Sequence, residues 1–187
     1  MPEEQRGNFF TELLKLALLV VIVVVPIRLW VAQPFLVSGA SMEPTFDSGE
    51  YLIVDELSYH LGEPLRYDVI IFRYPEDPSK FYIKRIVGLP GETLRIEEHS
   101  VSVVRADGTT ELLEEPYVTR QGNGPNQTVT LGQEEYFVMG DNRPDSSDSR
   151  YWGPLPRKDI IGRAFLRLLP IQHIAVLPGA YAEAGMK

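Results

Sequence analysis

The sequence predicts a mainly β protein, an antiparallel-sheet domain behind one N-terminal transmembrane helix. Three observations lead there. Leu13–Ala32 runs apolar, broken only by Lys15 near its start and by Pro26 and Arg28 near its end. Beyond it, short stretches rich in β-branched and aromatic residues alternate with Gly, Pro, Asn and Asp, the pattern of strands and turns. No long amphipathic helical period and no internal repeat follows Ala32. A chain of this kind has to fold or close its sheets on themselves to manage their edges.

The elements follow in order. Residues 1–12 form a short tail. Residues 13–32 are long enough for a bilayer-spanning helix, which needs about 20 apolar residues. The end cations can snorkel and Trp30 suits the interface. A cleaved leader is the rival reading. The small-x-small sequence Ser38-Gly39-Ala40 lies well past the apolar run, however, and not directly behind it, which favours an uncleaved anchor. Residues 33–187 then form one β-rich domain. "GEYLIVDEL" and "YDVIIFRYP" read as strands, and "FYIKRIVGLPGETLRIEE" as two strands joined at Leu89-Pro90-Gly91. "HSVSVVRADGTTELLEE" carries a hairpin signal at Asp107-Gly108. "RQGNGPNQTVTLG" is a polar, Gly-rich excursion. "EEYFVMGDNRPDSSDSRYWGPL" is a strand entering an Asp/Ser/Arg-rich loop, and "IIGRAFLRLLP" is a further strand. The apolar tail "LPIQHIAVLP" either grazes a membrane or closes the domain.

Composition removes several function classes. The formal charge is −8, and the acids and bases up to Ala32 cancel, so the body of the chain is acidic. Such a surface binds a phosphate backbone poorly, and nucleic acid is not an expected partner. With no cysteine there is no disulfide, zinc–thiolate site or thiol nucleophile. No metal and no cofactor is expected.

Three stretches carry candidate chemistry. In "FYIKRIVGLP", alternation puts Lys84 on one face with Tyr82 and Ile86, and Arg85 on the other with Phe81, Ile83 and Val87. One reading is a solvated edge strand, since edges often carry lysine. The other is a lysine whose pKa is lowered by burial until its neutral amine serves as a general base. In "PFLVSGASMEPTF", Ser38 and Ser41 sit among small residues that permit close approach of a substrate; either serine could equally be a turn or cap residue. His60, His99 and His173 carry no Ser–His–Asp signature. In "GDNRPDSSDSRYWG", a calcium loop lacks its glycine and closing glutamate, and two arginines oppose a cation. A flexible polar loop or a scaffold of ion pairs remains.

Together these stretches resemble the type I (leader) signal peptidases, a family of membrane-anchored Ser/Lys proteases. The apolar segment precedes "SGASMEPTF", which looks like the family's nucleophile box. "YDVIIFRYPEDPSKFYIKRIVGLPGE" resembles its lysine segment, and "GDNRPDSSDSRYWGPLPRKDIIGRA" its closing box. The resemblance covers most of Gln33 to Ala164; 97–133 matches only as β-rich sequence. It implies a catalytic domain over 33–187, Ser41 as nucleophile and Lys84 as general base. Ser146 would hydrogen-bond the lysine, and Asp141–Arg85 and Asp148–Arg150 would be scaffold ion pairs. Gly39 stands where some members carry a serine that completes the oxyanion hole, so a Gly39 amide or Ser38 is the candidate second donor. Phe35, Val37, Met42, Leu52, Phe72, Tyr82 and Ile83 are the implied substrate-pocket residues.

The implied substrates are signal peptides of exported preproteins, cut after small-x-small. The implied setting is a single-pass plasma-membrane protein, its catalytic domain extracytoplasmic, working at the lipid bilayer near the secretion translocase. Three rivals stand beside this reading. A soluble Ser/Lys autoprotease would need a DNA-binding domain where the apolar segment stands. An inactive preprotein-binding module or an anchored envelope β domain would leave Ser41, Lys84 and Ser146 without a task.

Overall fold

The computed structural model describes residues 4–30, 32–122 and 124–181, with the backbone alone at 4–8, 23–30 and 32. Helix α1 (Glu4–Trp30) begins inside the stretch read as a tail, because its helix-forming residues continue into the apolar run without a strong breaker. The side chains from Phe9 to Ile22 are exposed, Phe10, Leu14 and Leu19 among them. Among the described residues no helix is long and apolar enough to cross a membrane. Of the expected span, Val31 and the side chains of 23–30 and 32 lie outside the described residues.

Every strand pairing that follows is antiparallel. The strands are β1 (Ala32–Leu36), β2 (Tyr51–Asp55), β3 (Val69–Tyr74), β4 (Asp77–Gly88), β5 (Thr93–Glu97), β6 (Ser100–Val104) and β7 (Thr110–Leu112). After them come β8 (Gln127–Thr130), β9 (Glu135–Met139), β10 (Leu155–Pro156), β11 (Ile160–Leu169) and β12 (Ala175–Val176). The larger sheet runs β1-β2-β11-β3-β4-β9-β10 with β12 against β11, and the smaller runs β7-β6-β5-β8. Helices α2 (Leu57–Leu61) and α3 (Ser149–Trp152) are each little more than one turn.

Two strands depart from the sequence expectation. β1 lies outside the stretches that read as strands, and its Pro34 is tolerated because β1 is an edge strand. β8 lies inside the polar excursion, where Thr128-Val129-Thr130 alternates and turns Val129 onto a core. The Asp107-Gly108 hairpin forms as expected, joining β6 to β7, with Gly108 at φ +82.

The β pleat sorts the core into compartments. On β3, Val69 and Ile71 face a cluster with Val37, Met42, Phe46, Leu52 and Val54. Ile70 and Phe72 face the opposite cluster with Tyr59, Ile86, Tyr136 and Val138. A third core, including Val87, Leu94, Ile96 and Phe137, joins the smaller sheet to the end of β4. The tail closes the domain: Leu177 N–H donates to the Phe165 carbonyl at 2.7 Å, while Ile171, Ile174 and Val176 stay exposed.

Candidate active site

β4 carries the two cations, and the sheet register decides where they go. β3 pairs with β4 through Ile70↔Lys84 and Val69↔Arg85, whereas β9 joins the other side only from Arg85 onward. The far edge of 81–84 is therefore without a strand partner among the described residues. Lys84 is nevertheless not a solvated edge lysine, since only 4% of it is exposed. The loop after β1 and the loop after β9 fold over it.

Lys84 Nζ lies 2.7 Å from Ser41 Oγ and donates to the Ile83 carbonyl at 2.9 Å. Burial lowers its pKa to about 8, and Asp148 and Asp141 oppose the shift without cancelling it. About one lysine in ten is then neutral at pH 7, against about one in 2500 at the unperturbed value. The arrangement is a serine hydroxyl beside an amine able to take its proton.

Ser41 is held by close packing. Gly140 sits so near that a Cβ there would collide with Ser146 Oγ and the Ser41 carbonyl. Gly39 has φ +94, a conformation that L side chains rarely adopt, which accounts for glycine where a serine was the alternative. The Gly39 N–H donates to Ser48 Oγ at 3.3 Å, so of the two second-donor candidates its amide is already engaged.

Two buried ion pairs flank the site. Arg85 grips Asp141 through two bonds, Nε–Oδ1 at 2.9 Å and Nη2–Oδ2 at 2.6 Å. Its remaining reach goes to the carbonyls of Tyr67 and Gly179, at 2.9 and 2.6 Å, and its guanidinium stacks 4.0 Å from the Tyr117 ring. Asp141 also accepts from Thr45 Oγ1 at 2.5 Å, which ties the Ser41 loop to this pair. Arg150 grips Asp148 at 2.8 and 2.9 Å, and Asp148 also accepts from the Gly140 N–H at 3.0 Å.

Ser146 corrects one expectation. Its hydroxyl donates to Asp148 Oδ2 at 2.6 Å and makes no direct bond to Lys84. A carboxyl oxygen is the stronger acceptor for the Ser146 O–H, and the Lys84 amine is directed to the Ser41 hydroxyl and the Ile83 carbonyl instead.

Beside the dyad runs a groove of about 440 Å³. Phe35, Val37, Leu52, Tyr82 and Ile83 line it, with Ser38, Gly39, Ser41 and Lys84. Met42 and Phe72 do not. Met42 is 1% exposed and packs into the core under the groove. Phe72 points to the other side of β3, against Tyr82 and Trp152, and its neighbour Ile71 lines the groove instead. Sequence proximity to Ser41 gave Met42 no orientation, and alternation along β3 is the signal that separates Ile71 from Phe72. Lys80, Phe81, Asp145 and Ser147, also unforeseen, complete the wall with Leu36 and Ala40. The Phe35 and Phe81 rings meet edge to face at 5.5 Å across it.

Asn142 is the residue that the sequence reading passed over. Its side chain donates to the Ala40 carbonyl at 3.0 Å and its backbone N–H to the Ser41 carbonyl at 3.1 Å. Within a loop so rich in polar residues, only the fold distinguishes it.

A family model and sequence relatives place the chain in one family. Residues 10–169 match the family model described as signal peptidase, peptidase S26. A probable signal peptidase I-2 from Synechocystis sp. is 35% identical over 94% of this chain and 80% of its own length. The signal peptidase I P of Bacillus subtilis subsp. natto is 31% identical over 92% of this chain and 96% of its own. Among solved structures, a signal peptidase I from Enterococcus faecalis V583 aligns at 30% identity and TM-score 0.46, over 55% of this chain and 97% of that one. The chain belongs to the signal peptidases of the peptidase S26 family, which are serine-protease hydrolases.

Proposed function

We propose that the chain is a membrane-anchored endopeptidase that removes signal peptides from exported preproteins, cutting after small-x-small sequences through a Ser41/Lys84 dyad. The observation that carries the reading is the 2.7 Å approach of a buried lysine, its pKa lowered to about 8, to the Ser41 hydroxyl. Neutral Lys84 takes the Ser41 proton as Oγ attacks the scissile carbonyl, then returns it to the leaving amine. An ester acyl-enzyme forms. Water activated by the same lysine hydrolyses it. The Ser41 backbone N–H faces the developing oxyanion, with Ser38 as the second donor.

Substrate binding follows from the unpaired edge of 81–84. An extended peptide adds there as a strand, which its main chain favours and which aims alternate side chains at the groove wall. The wall is apolar around Val37, Leu52, Ile71 and Ile83, and larger side chains are excluded by clash. Asp148 braces Lys84 electrostatically while Ser146 and Arg150 hold Asp148 in place.

The exposed apolar side chains of α1 support the anchor reading for 13–32, in a single-pass plasma-membrane protein whose domain from 33 on is extracytoplasmic and works near the secretion translocase. The test uses the full chain in detergent with a preprotein bearing Ala-x-Ala, alongside Ser41→Ala. Cleavage after the second alanine, read by product N-terminal sequencing and absent in the variant, is the expected result. Cleavage elsewhere, or by the variant, rejects the reading.

A further inference from the structure

Asn142 grips the nucleophile residue at both ends. Its side-chain Nδ2 donates to the Ala40 carbonyl at 3.0 Å, and its backbone N–H donates to the Ser41 carbonyl at 3.1 Å. The Ala40 carbonyl and the Ser41 N–H belong to one rigid peptide plane. Fixing that carbonyl therefore fixes the direction in which the Ser41 N–H points. The Glu43 N–H also donates to the Ala40 carbonyl, at 3.1 Å, so the plane is anchored by two donors. A hydrogen bond accepted by a peptide carbonyl polarises the same unit and strengthens its N–H as a donor.

The side chain is suited to this task. Asn142 is 2% exposed, and its second Nδ2 proton reaches Asp145 Oδ2 at 3.3 Å. Its Oδ1 is buried with no partner among the described residues. A flipped amide would set Oδ1 against the Ala40 carbonyl oxygen and the Asp145 carboxylate, oxygen facing oxygen, so the observed orientation is the one the surroundings permit.

We infer that Asn142 is the positioning residue of the oxyanion hole, orienting and polarising the Ala40–Ser41 peptide whose N–H receives the tetrahedral intermediate. The inference rests on Ser41 as nucleophile. It differs from the dyad in what it controls: Lys84 governs the proton, Asn142 the stabilisation of charge on the substrate oxygen.

The test measures kcat, KM and the affinity for a peptide boronate, which forms a tetrahedral adduct on an active serine, in the detergent-solubilised full chain. Asn142→Ala and Asn142→Asp are compared with the parent. Losing one direct oxyanion donor costs about 10²–10³ in kcat, so misaiming one should cost roughly tenfold to a hundredfold. KM should hold within about twofold, and boronate affinity should fall by the same factor as kcat/KM. In Asn142→Ala the midpoint of the pH profile should stay where Lys84 sets it; in Asn142→Asp the added carboxylate should move it upward, so that variant is compared on its high-pH plateau. Asn142→Asp, equal in size, should be at least as impaired as Asn142→Ala, because a carboxylate then faces the Ala40 carbonyl. It decides the matter should the alanine variant fail to fold.

An unchanged kcat in Asn142→Asp, or a fall in kcat with boronate affinity untouched, overturns the inference while leaving the dyad standing. A parent that neither cleaves nor binds the boronate overturns the dyad and this inference together.

Discussion

Lys84 and Arg85 are adjacent in β4, and their charges end in different compartments: Lys84 Nζ 2.7 Å from Ser41 Oγ, Arg85 in a two-bond grip on Asp141. One backbone thus links the proposed base to a rigid anchor behind it. Arg85 is 1% exposed and Asp141 fully buried. Removing one partner of such a pair strands a buried charge, at a cost of about 3–5 kcal/mol. Asp141→Ala should therefore lose that much stability in urea titrations. The Arg85→Met/Asp141→Leu double variant should recover much of it. Singles no worse than the double would show that the pair does not behave as a coupled unit.

Lys84 should itself be a burden on the fold at neutral pH. Its native pKa, about 8, lies below its unfolded value near 10.5. Below pH 8 both states are protonated and the full penalty of burying the charge applies, about 3 kcal/mol. Between pH 8 and 10.5 the unfolded state binds more protons, so stability rises with pH, and above that window the penalty is gone. Lys84→Met should be inactive yet about 1–3 kcal/mol more stable than the parent at pH 7, the lost amine bonds offsetting part of the gain. The difference should shrink towards pH 10. An equal difference at both pH values would place the native pKa elsewhere.

Gly140→Ala forces a methyl group between Ser146 and Ser41. Displacing a nucleophile by as little as 1 Å can cost about a hundredfold in rate. We expect a fall of that order in kcat/KM with a stability loss of about 1–3 kcal/mol, the usual range for overpacking. Wild-type activity in a folded variant would mean that the loop yields without moving Ser41.

The groove wall predicts specificity. Ile83→Ala opens space beside the dyad without touching the carbonyl that binds Lys84. One methylene in an apolar pocket is worth about tenfold or more in discrimination. The variant should improve cleavage of a precursor with valine before the cut, relative to alanine, by about tenfold. An unchanged ratio would move the pocket away from Ile83.

Much of this architecture is legible in the residues. Alternation along "FYIKRIV" separates Lys84 from Arg85 before any coordinates, because a strand has only two faces. The Asp/Ser/Arg composition of 140–153 allows a scaffold of ion pairs, and only the resemblance names the partners; Arg85 lies against Asp141 and Arg150 against Asp148. What escapes has a common cause: it depends on contacts between distant segments. The resemblance pairs Ser146 with Lys84, yet the Ser146 hydroxyl donates to Asp148. β8 is polar and reads as loop, and only pairing with β5 makes it a strand. Asn142 resembles its polar neighbours until Ala40 is brought 3.0 Å from its amide.

The most direct measurement is cleavage of an Ala-x-Ala preprotein by the full chain and by Lys84→Ala, side by side, from pH 6 to 10. The account predicts parent activity that rises through about pH 8 and levels off as Lys84 loses its proton, with no cleavage by the variant at any pH. A flat parent profile, or a variant that cuts as well as the parent, would contradict Lys84 as the base.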